Sequence, residues 1–240
     1  MSRELHPGVW CIEGSASNVY LAVDHAAPVD DTDAVRVDGE MGALVLLDAG
    51  TPGDAATIRA GIEAVGFGVE DVSRVLLTHY DYDHVGALAE LDDLDATVYA
   101  HEPDASFLDG SGTPDLWPHK ALLQRLTGRF LSRPSVAVER VRDGDTVGSF
   151  TAYHTPGHGP GHLAWVSEPL ETAFLGDLVR ERDGRLAPSP WLVSYDTDAV
   201  GDSVCTLAER APAFAVAGMG HGTPLATGGS DALGRLAAEL

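Results

Sequence analysis

The stretch Thr78-His79-Tyr80-Asp81-Tyr82-Asp83-His84 decides how this chain is read. It follows the apolar run Val75-Leu76-Leu77 and precedes Val85–Leu91, whose spacing predicts a helix, so it reads as a loop from a buried strand to a helix. Two imidazoles and two carboxylates within six residues are costly to hold together unless a cation neutralises them. Three other places end a strand in the same residue types. In Thr155-Pro156-Gly157-His158-Gly159-Pro160-Gly161-His162 the glycines and prolines set a tight turn that can aim a histidine. Leu175-Gly176-Asp177 puts a carboxylate just after a strand, and Gly218-Met219-Gly220-His221-Gly222 does the same with a histidine. Singly these are weak signals, because a lone histidine or a post-strand aspartate is ordinarily a hydrogen-bonded structural residue. Their joint order, His-x-Asp-x-Asp-His, His, Asp, His, predicts one metal site.

The chain around these motifs reads as globular. It has 240 residues, of which 44% are hydrophobic, enough to bury a sizeable core and too many for a disordered segment. No apolar run approaches the roughly 18 residues needed to cross a bilayer, and Met1-Ser2-Arg3-Glu4-Leu5-His6-Pro7 is not an apolar leader. Cys11 and Cys205 are the only cysteines, so a disulfide framework is not expected, although one bridge stays open; the expected setting is the reduced cytoplasm. The formal net charge is −22, and Lys120 is the single lysine beside 14 arginines. Such a field repels nucleic-acid phosphates. It fits either an ordinary acidic protein or one adapted to high salt, where screening quenches the mutual repulsion of dense carboxylates.

Val9–Ile12, Val19–Val23 and Leu44–Leu47 read as strands, and Ala55–Val65 as a helix with Ile58, Ile62 and Val65 on one stripe, stopped by Gly66. Further strands are expected at Val98–Ala100, Val136–Val138, Phe150–His154, Leu163–Val166, Ala173–Leu175 and Phe214–Ala217. Helices are expected within Leu116–Leu131 and over Asp198–Arg210. His25 to Glu40 reads as an acidic surface loop or hairpin tip, and Asp104 to Pro118 as an irregular connection. Two strand-rich halves with attached helices suggest stacked sheets with helices outside.

These motifs together resemble the metallo-β-lactamase-fold superfamily, in the style of its glyoxalase II-like and lactonase-like hydrolases. His79 to His84 matches the family's His-x-His-x-Asp-His loop, Thr155 to His162 its Thr-Pro-Gly-His turn, and Gly176-Asp177 its bridging carboxylate. Leu46-Leu47-Asp48-Ala49-Gly50 is similar to its early strand–Asp–Gly element, Asp198, Ser203 and Leu207 to its late helix, and Gly220-His221-Gly222 to its last ligand. The resemblance implies an α+β fold over residues 1–240 as a single domain: an αββα sandwich of two mixed β-sheets flanked by helices. It also implies two divalent metal ions. His79, Asp81 and His158 would hold the first, Asp83, His84 and His221 the second, and Asp177 would bridge them. Asp48 would orient a ligand from behind, and His162 would either do likewise or be structural.

Asp81 departs from the pattern, since the family usually has histidine there. Its oxygen donor favours iron or manganese more than a nitrogen-rich set does, while zinc remains the first expectation and a silent substitution the plain alternative. Flavodiiron proteins also carry a carboxylate at this position, and in them the residue matching His84 need not be a ligand. The implied activity is hydrolysis of a small ester, thioester or lactone by a metal-bridging hydroxide, with Asp83 and Asp177 as catalytic residues as well as ligands. An iron-dependent oxidoreductase, diiron or a mono-iron sulfur dioxygenase, is the alternative, and a non-catalytic metal-binding domain is a third reading. Expected partners are a small-molecule substrate, with no nucleic acid and no membrane, in a monomer or homodimer.

Substrate identity is less legible. Only 19 residues follow His221, which speaks against the glutathione-binding helical region of glyoxalase II proper. Lactonases of this fold carry a tyrosine three residues after the bridging aspartate, where this chain has Arg180. Tyr80, Tyr82, Trp117, Trp191 and Tyr195 are pocket candidates, although packing is the ordinary role of such residues.

Overall fold

The computed structural model describes residues 2–25, 34–37, 40–114, 119–128 and 131–240. Strands β1 (Ser2–His6), β2 (Val9–Glu13), β3 (Asn18–Asp24), β4 (Ala34–Val37) and β5 (Glu40–Leu47) pair antiparallel, β3 and β4 both against β5. Helix α1 (Ala55–Glu63) then leads to β6 (Val72–Leu76), which lies parallel to β5. Helix α2 (Tyr82–Val85), β7 (Thr97–Ala100), α3 (Asp104–Asp109), α4 (His119–Thr127) and β8 (Ala137–Arg140) follow, with β7 and β8 extending the parallel half. This first sheet runs β1-β2-β3-β5-β6-β7-β8.

A second mixed sheet runs β15-β12-β11-β10-β9, built from β9 (Thr146–Val147), β10 (Phe150–His154), β11 (Leu163–Ser167), β12 (Thr172–Gly176) and β15 (Val216–Met219). Strands β13 (Val179–Arg182) and β14 (Arg185–Pro188) form a separate hairpin, and helices α5 (Thr197–Arg210) and α6 (Gly229–Ala237) complete the chain.

The central strands are buried on both faces, and the period of two along each sorts its side chains into different layers. Along β3, Val19, Leu21 and Val23 pack towards α1 residues Ile58 and Ile62, while Tyr20 and Ala22 face the second sheet. On the other side, Leu163 and Trp165 of β11 and Phe174 of β12 fill the space between the sheets. Their neighbours Ala164, Val166, Ala173 and Leu175 meet Val200, Val204 and Leu207 of α5 and Leu233 of α6. Three apolar layers, helix on sheet, sheet on sheet and sheet on helix, are the αββα sandwich that the sequence predicts. Phe174 pairs with Gly218 across β12 and β15, and a side chain on Gly218 would run into the rings of Phe174 and Tyr20.

Several local expectations need correction. Val85–Leu91 is not one helix: α2 ends at Val85 and a tighter 3-10 turn carries on from Gly86 to Glu90. A side chain on Gly86 would collide with Thr51 and Pro52, so the chain runs here against the loop after β5. Asp104 to Pro118 opens as helix α3, because Ala105, Phe107 and Leu108 reach the core from a polar-looking stretch. Residues 115–118, Trp117 among them, lie outside the described residues, as do 26–33 and 38–39 of the acidic stretch, whose residues Ala34–Val37 pair with β5. The strand expected at Phe214–Ala217 starts later, at Val216. Strands β1, β9, β13 and β14 and helix α6 have no counterpart in the sequence reading. Among the described residues no helix is long and apolar enough to cross a membrane.

Trp165 lies at the centre of the sheet-on-sheet layer, and its Nε1 donates to the Leu77 carbonyl at 3.0 Å. Trp165→Phe keeps a ring but strands that carbonyl at the root of the His79 loop, and it should lower unfolding free energy by about 1–3 kcal/mol in urea titrations at fixed salt.

Candidate metal centre

Four strands end at one place. His79 and Asp81 lie in the loop after β6, with Asp83 and His84 in α2; His158 sits in the turn from β10 to β11; Asp177 follows β12; His221 follows β15. Backbone bonds tie these segments together: Leu163 N–H donates to Thr78 O at 2.7 Å, Ala49 to His84 O at 2.6 Å, and Gly220 to Gly176 O at 2.9 Å. Gly220 leaves room for the cluster, since a Cβ there would fall 2.1 Å from Asp177 Oδ1 and 2.7 Å from His84 Cε1.

Ligand-type atoms converge in three groups, each within 4.8 Å: His79, Asp81 and His158; His79, His84 and Asp177; and Asp83, His84 and His221. Asp177 is central. Its Oδ1 lies 3.4 Å from His84 Nε2, and its Oδ2 lies 3.5 Å from His158 Nε2 and 3.1 Å from His221 Nε2. Asp81 Oδ2 stands 3.3 Å from His79 Nε2 and 3.1 Å from His158 Nε2, and Asp83 Oδ2 stands 3.5 Å from His221 Nε2. Three atoms of this cluster, His79 Nε2, His84 Nε2 and Asp177 Oδ1, are buried without a hydrogen-bond partner. Orphaned buried polar atoms are costly, and here they point to a shared cation.

Each of these histidines is held from behind through Nδ1, which leaves Nε2 to the cluster. His84 Nδ1 donates to Asp48 Oδ2 at 2.8 Å, and His221 Nδ1 donates to the Ala16 carbonyl at 3.0 Å. His158 Nδ1 pairs with Ser189 Oγ at 2.8 Å. His79 Nδ1 meets Thr78 Oγ1 at 3.0 Å, and that hydroxyl donates to Asp48 Oδ2 at 2.7 Å. His162 is different. Its Nε2 accepts the Asp177 backbone N–H at 3.0 Å while Nδ1 pairs with Thr155 Oγ1, so it positions Asp177 and has no lone pair left for a cation.

The seven sequence-predicted residues therefore lie together. What sequence reading missed comes from α4 and α3. Buried Lys120 donates from Nζ to Asp81 Oδ2 at 2.9 Å and to the His158 carbonyl at 2.7 Å. Gln124, one turn on, donates from Nε2 to Asp81 Oδ1 at 2.9 Å and to the Tyr80 carbonyl, and accepts from Tyr195 Oη at 2.7 Å. The Asp81 carboxylate is thus matched by the chain's one lysine. Asp104, on α3, accepts the Tyr80 N–H at 2.8 Å. Of the aromatic candidates, Tyr80 packs on Phe107, Tyr82 lines a cavity of about 220 Å³ beside Asp81 and Asp83, and Trp191 is exposed next to His119.

A two-sheet sandwich with imidazoles and carboxylates gathered at one set of strand ends defines a class of metal-site proteins. Residues 27–221 match the model of the metallo-beta-lactamase superfamily, and the chain belongs to that superfamily. It is 26% identical over 218 residues to the probable metallo-hydrolase YflN of Bacillus subtilis, covering 80% of each. It is 31% identical over 140 residues to a hydroxyacylglutathione hydrolase of Salmonella typhi, covering 57% of this chain and 42% of that protein. Its fold is similar to that of the metallo-beta-lactamase family protein TTHA1429 from Thermus thermophilus, with TM-score 0.69, 21% identity, and coverage of 98% of this chain and 80% of that one. It is also similar to TTHA1623 in a di-iron-bound form, with TM-score 0.62, 26% identity and 95% coverage of both chains.

Protonation follows the packing. Burial pulls His79 down to about 4 and lowers His158, keeping both imidazoles neutral and their lone pairs free. Burial disfavours the Asp81 charge, yet Lys120 and His79 outweigh it and hold the carboxyl well below its usual range. Asp177 is held low in the same way by His84 and His158. Burial also disfavours the His84 cation, but Asp177 and Asp48 reverse the sign and raise it well above an ordinary histidine; a cation bound there takes that proton's place.

Asp104 goes the other way: burial pushes it up from 3.8 to about 7, and its Oδ1 has no partner. Between those values the folded protein keeps a proton that the unfolded chain has released, so this contribution is present below about pH 4 and lost as pH rises to 7. Urea unfolding of Asp104→Asn beside the parent should show the parent losing up to about 4 kcal/mol relative to the variant over that window.

Proposed function

We propose that this chain is a binuclear metallohydrolase acting on a small ester, thioester or lactone. The observation that carries the metal centre is the meeting of three orphaned buried atoms, His79 Nε2, His84 Nε2 and Asp177 Oδ1, among ligands whose far nitrogens are already anchored. His79, Asp81 and His158 would hold one cation and Asp83, His84 and His221 the other, with Asp177 within reach of both groups. Zinc is the first candidate, with iron or manganese admitted by the Asp81 oxygen. A bound cation pair lowers the pKa of a shared water and polarises the scissile carbonyl.

The chain's own residues then set the geometry. Asp83 and Asp177 accept hydrogen bonds from the attacking water and aim its lone pair. Lys120 and Gln124 each donate to one oxygen of Asp81 and so fix the orientation in which that carboxylate would meet a cation. The acyl carbon gains the water's oxygen, the bond to the departing oxygen or sulfur breaks, and the leaving group takes up the proton. Likeness to a hydroxyacylglutathione hydrolase and a probable metallo-hydrolase supports hydrolysis as the reaction type. The charge of −22 with a single lysine supports work at high salt, and the unpaired Cys11 and Cys205 support the cytoplasm.

A second reading has a specific observation behind it. Asp81 supplies a hard oxygen donor, and TTHA1623, 26% identical, is known in a di-iron-bound form. Iron in protein purified without added metal, together with oxygen uptake, would favour an oxidoreductase.

Exhaustive chelation should abolish ester or thioester turnover, and added zinc, manganese or iron should restore it; turnover that survives complete demetallation rules out the proposal. Asp48→Ala should weaken metal retention about 10–100-fold in equilibrium dialysis, because His84 and Thr78 lose their anchor. Asp81→His should shift retention towards zinc over iron in metal-competition assays.

A further inference from the structure

Charge is spread unevenly over the metal cluster. Lys120, the chain's single lysine, is 3% exposed on α4, and its Nζ donates to Asp81 Oδ2 at 2.9 Å and to the His158 carbonyl at 2.7 Å. The same Oδ2 faces His79 Nε2 at 3.3 Å and His158 Nε2 at 3.1 Å, so the ammonium and a cation held by that trio draw on one oxygen. The other oxygen, Oδ1, accepts from Gln124 Nε2 at 2.9 Å, and Tyr195 Oη fixes that amide by donating to Gln124 Oε1 at 2.7 Å. The ammonium also lies 5.7 Å from the centre of the Tyr195 ring. Asp83 and Asp177 differ: histidines are their ion-pair partners, and no lysine or arginine pairs with either among the described residues. The three buried cluster atoms without a hydrogen-bond partner, His79 Nε2, His84 Nε2 and Asp177 Oδ1, form a group of their own, to which Asp81 does not belong. Demand for a cation is thus strongest at His84 and Asp177 and weakest at Asp81, whose charge a buried partner already balances.

We propose that Lys120 makes the two cation positions unequal: the position at Asp81 binds its ion weakly and exchangeably, while the position at Asp83, His84 and His221, beside Asp177, keeps its ion. The reason is electrostatic. A divalent cation at Asp81 meets a carboxylate that an ammonium has neutralised, and the two positive charges repel each other across a space that water screens poorly. Swinging the lysine out to water would strip the His158 carbonyl of its bond and loosen α4 from the site. A lysine that only oriented Asp81 would act in the opposite sense, because hydrogen bonds that support a metal ligand strengthen retention. The sign of the change on removing the charge therefore separates the two roles. This inference rests on the binuclear reading for its pair of ions, whereas the hold of Lys120 on Asp81 does not.

The test is equilibrium dialysis of metal-depleted protein against buffered zinc at fixed pH and salt, with bound zinc counted by elemental analysis, on parent, Lys120→Met, Lys120→Arg and Asp81→Ala. The parent should load in two steps separated about 10–100-fold in free zinc. Lys120→Met keeps an unbranched side chain without its charge; it should tighten the weaker step about 10-fold or more and leave the tighter one in place. Lys120→Arg should keep the parent's separation, and Asp81→Ala should lose the weaker step alone. Two parent steps of equal affinity, loss of the tighter step in Asp81→Ala, or a weaker step that Lys120→Met loosens or leaves unchanged overturns the proposal. The first of these needs the parent alone, so a variant that folds poorly does not shield the proposal, and it leaves the binuclear reading standing. One zinc per chain in the saturated parent, with two in Lys120→Met, ends the binuclear reading of the parent and upholds the opposition at Asp81. No zinc in any of the four proteins ends both.

Discussion

Everything at the site leans on one buried carboxylate. Asp48 accepts the Thr78 N–H at 2.7 Å, the Thr78 hydroxyl at 2.7 Å and His84 Nδ1 at 2.8 Å. It thereby joins the end of β5 to the loop after β6 and fixes the tautomers of two histidines at once. It does so from a left-handed backbone conformation, φ 58°, which costs a non-glycine residue energy and persists only where surrounding bonds insist on it. Removing the carboxylate would release the strained turn and two imidazoles together.

The second constraint is charge. Two carboxylates that face several imidazoles in a buried space are tolerable only if their charge is matched. At Asp177 the matching comes from His84 and His221, on two different segments. At Asp81 it comes from Lys120, which reaches across from α4 and also holds the His158 carbonyl. The Asp81 carboxylate thus faces a buried cation, and α4 is bound to the site through that pair.

The layering of sheets and helices and the clustering of the seven side chains were legible, from local patterns and from the family resemblance that those patterns carry. Runs such as Val19–Val23 can only be doubly buried strands, and His79, His158, Asp177 and His221 stand where strands stop, the last three beside glycines. What stayed hidden depends on long-range partners. Lys120 and Gln124 look like the wet face of a helix until Asp81 lies opposite them. Asp104 sits in a Gly-, Pro- and Asp-rich stretch that reads as loop, yet it caps the Tyr80 backbone from inside the core. Helix α6 begins on the pair Gly228-Gly229, a poor helix signal overruled by Leu233 and Leu236 packing against α5.

The cluster draws its members from four separate stretches, and His79 and His221 are 142 residues apart in sequence. No early hairpin or lone sheet can assemble it, since the imidazoles from the first sheet meet those from the second only after both layers have docked. A nascent or half-collapsed chain should then scavenge metal poorly, and a tightly retained ion would certify that folding has run to completion.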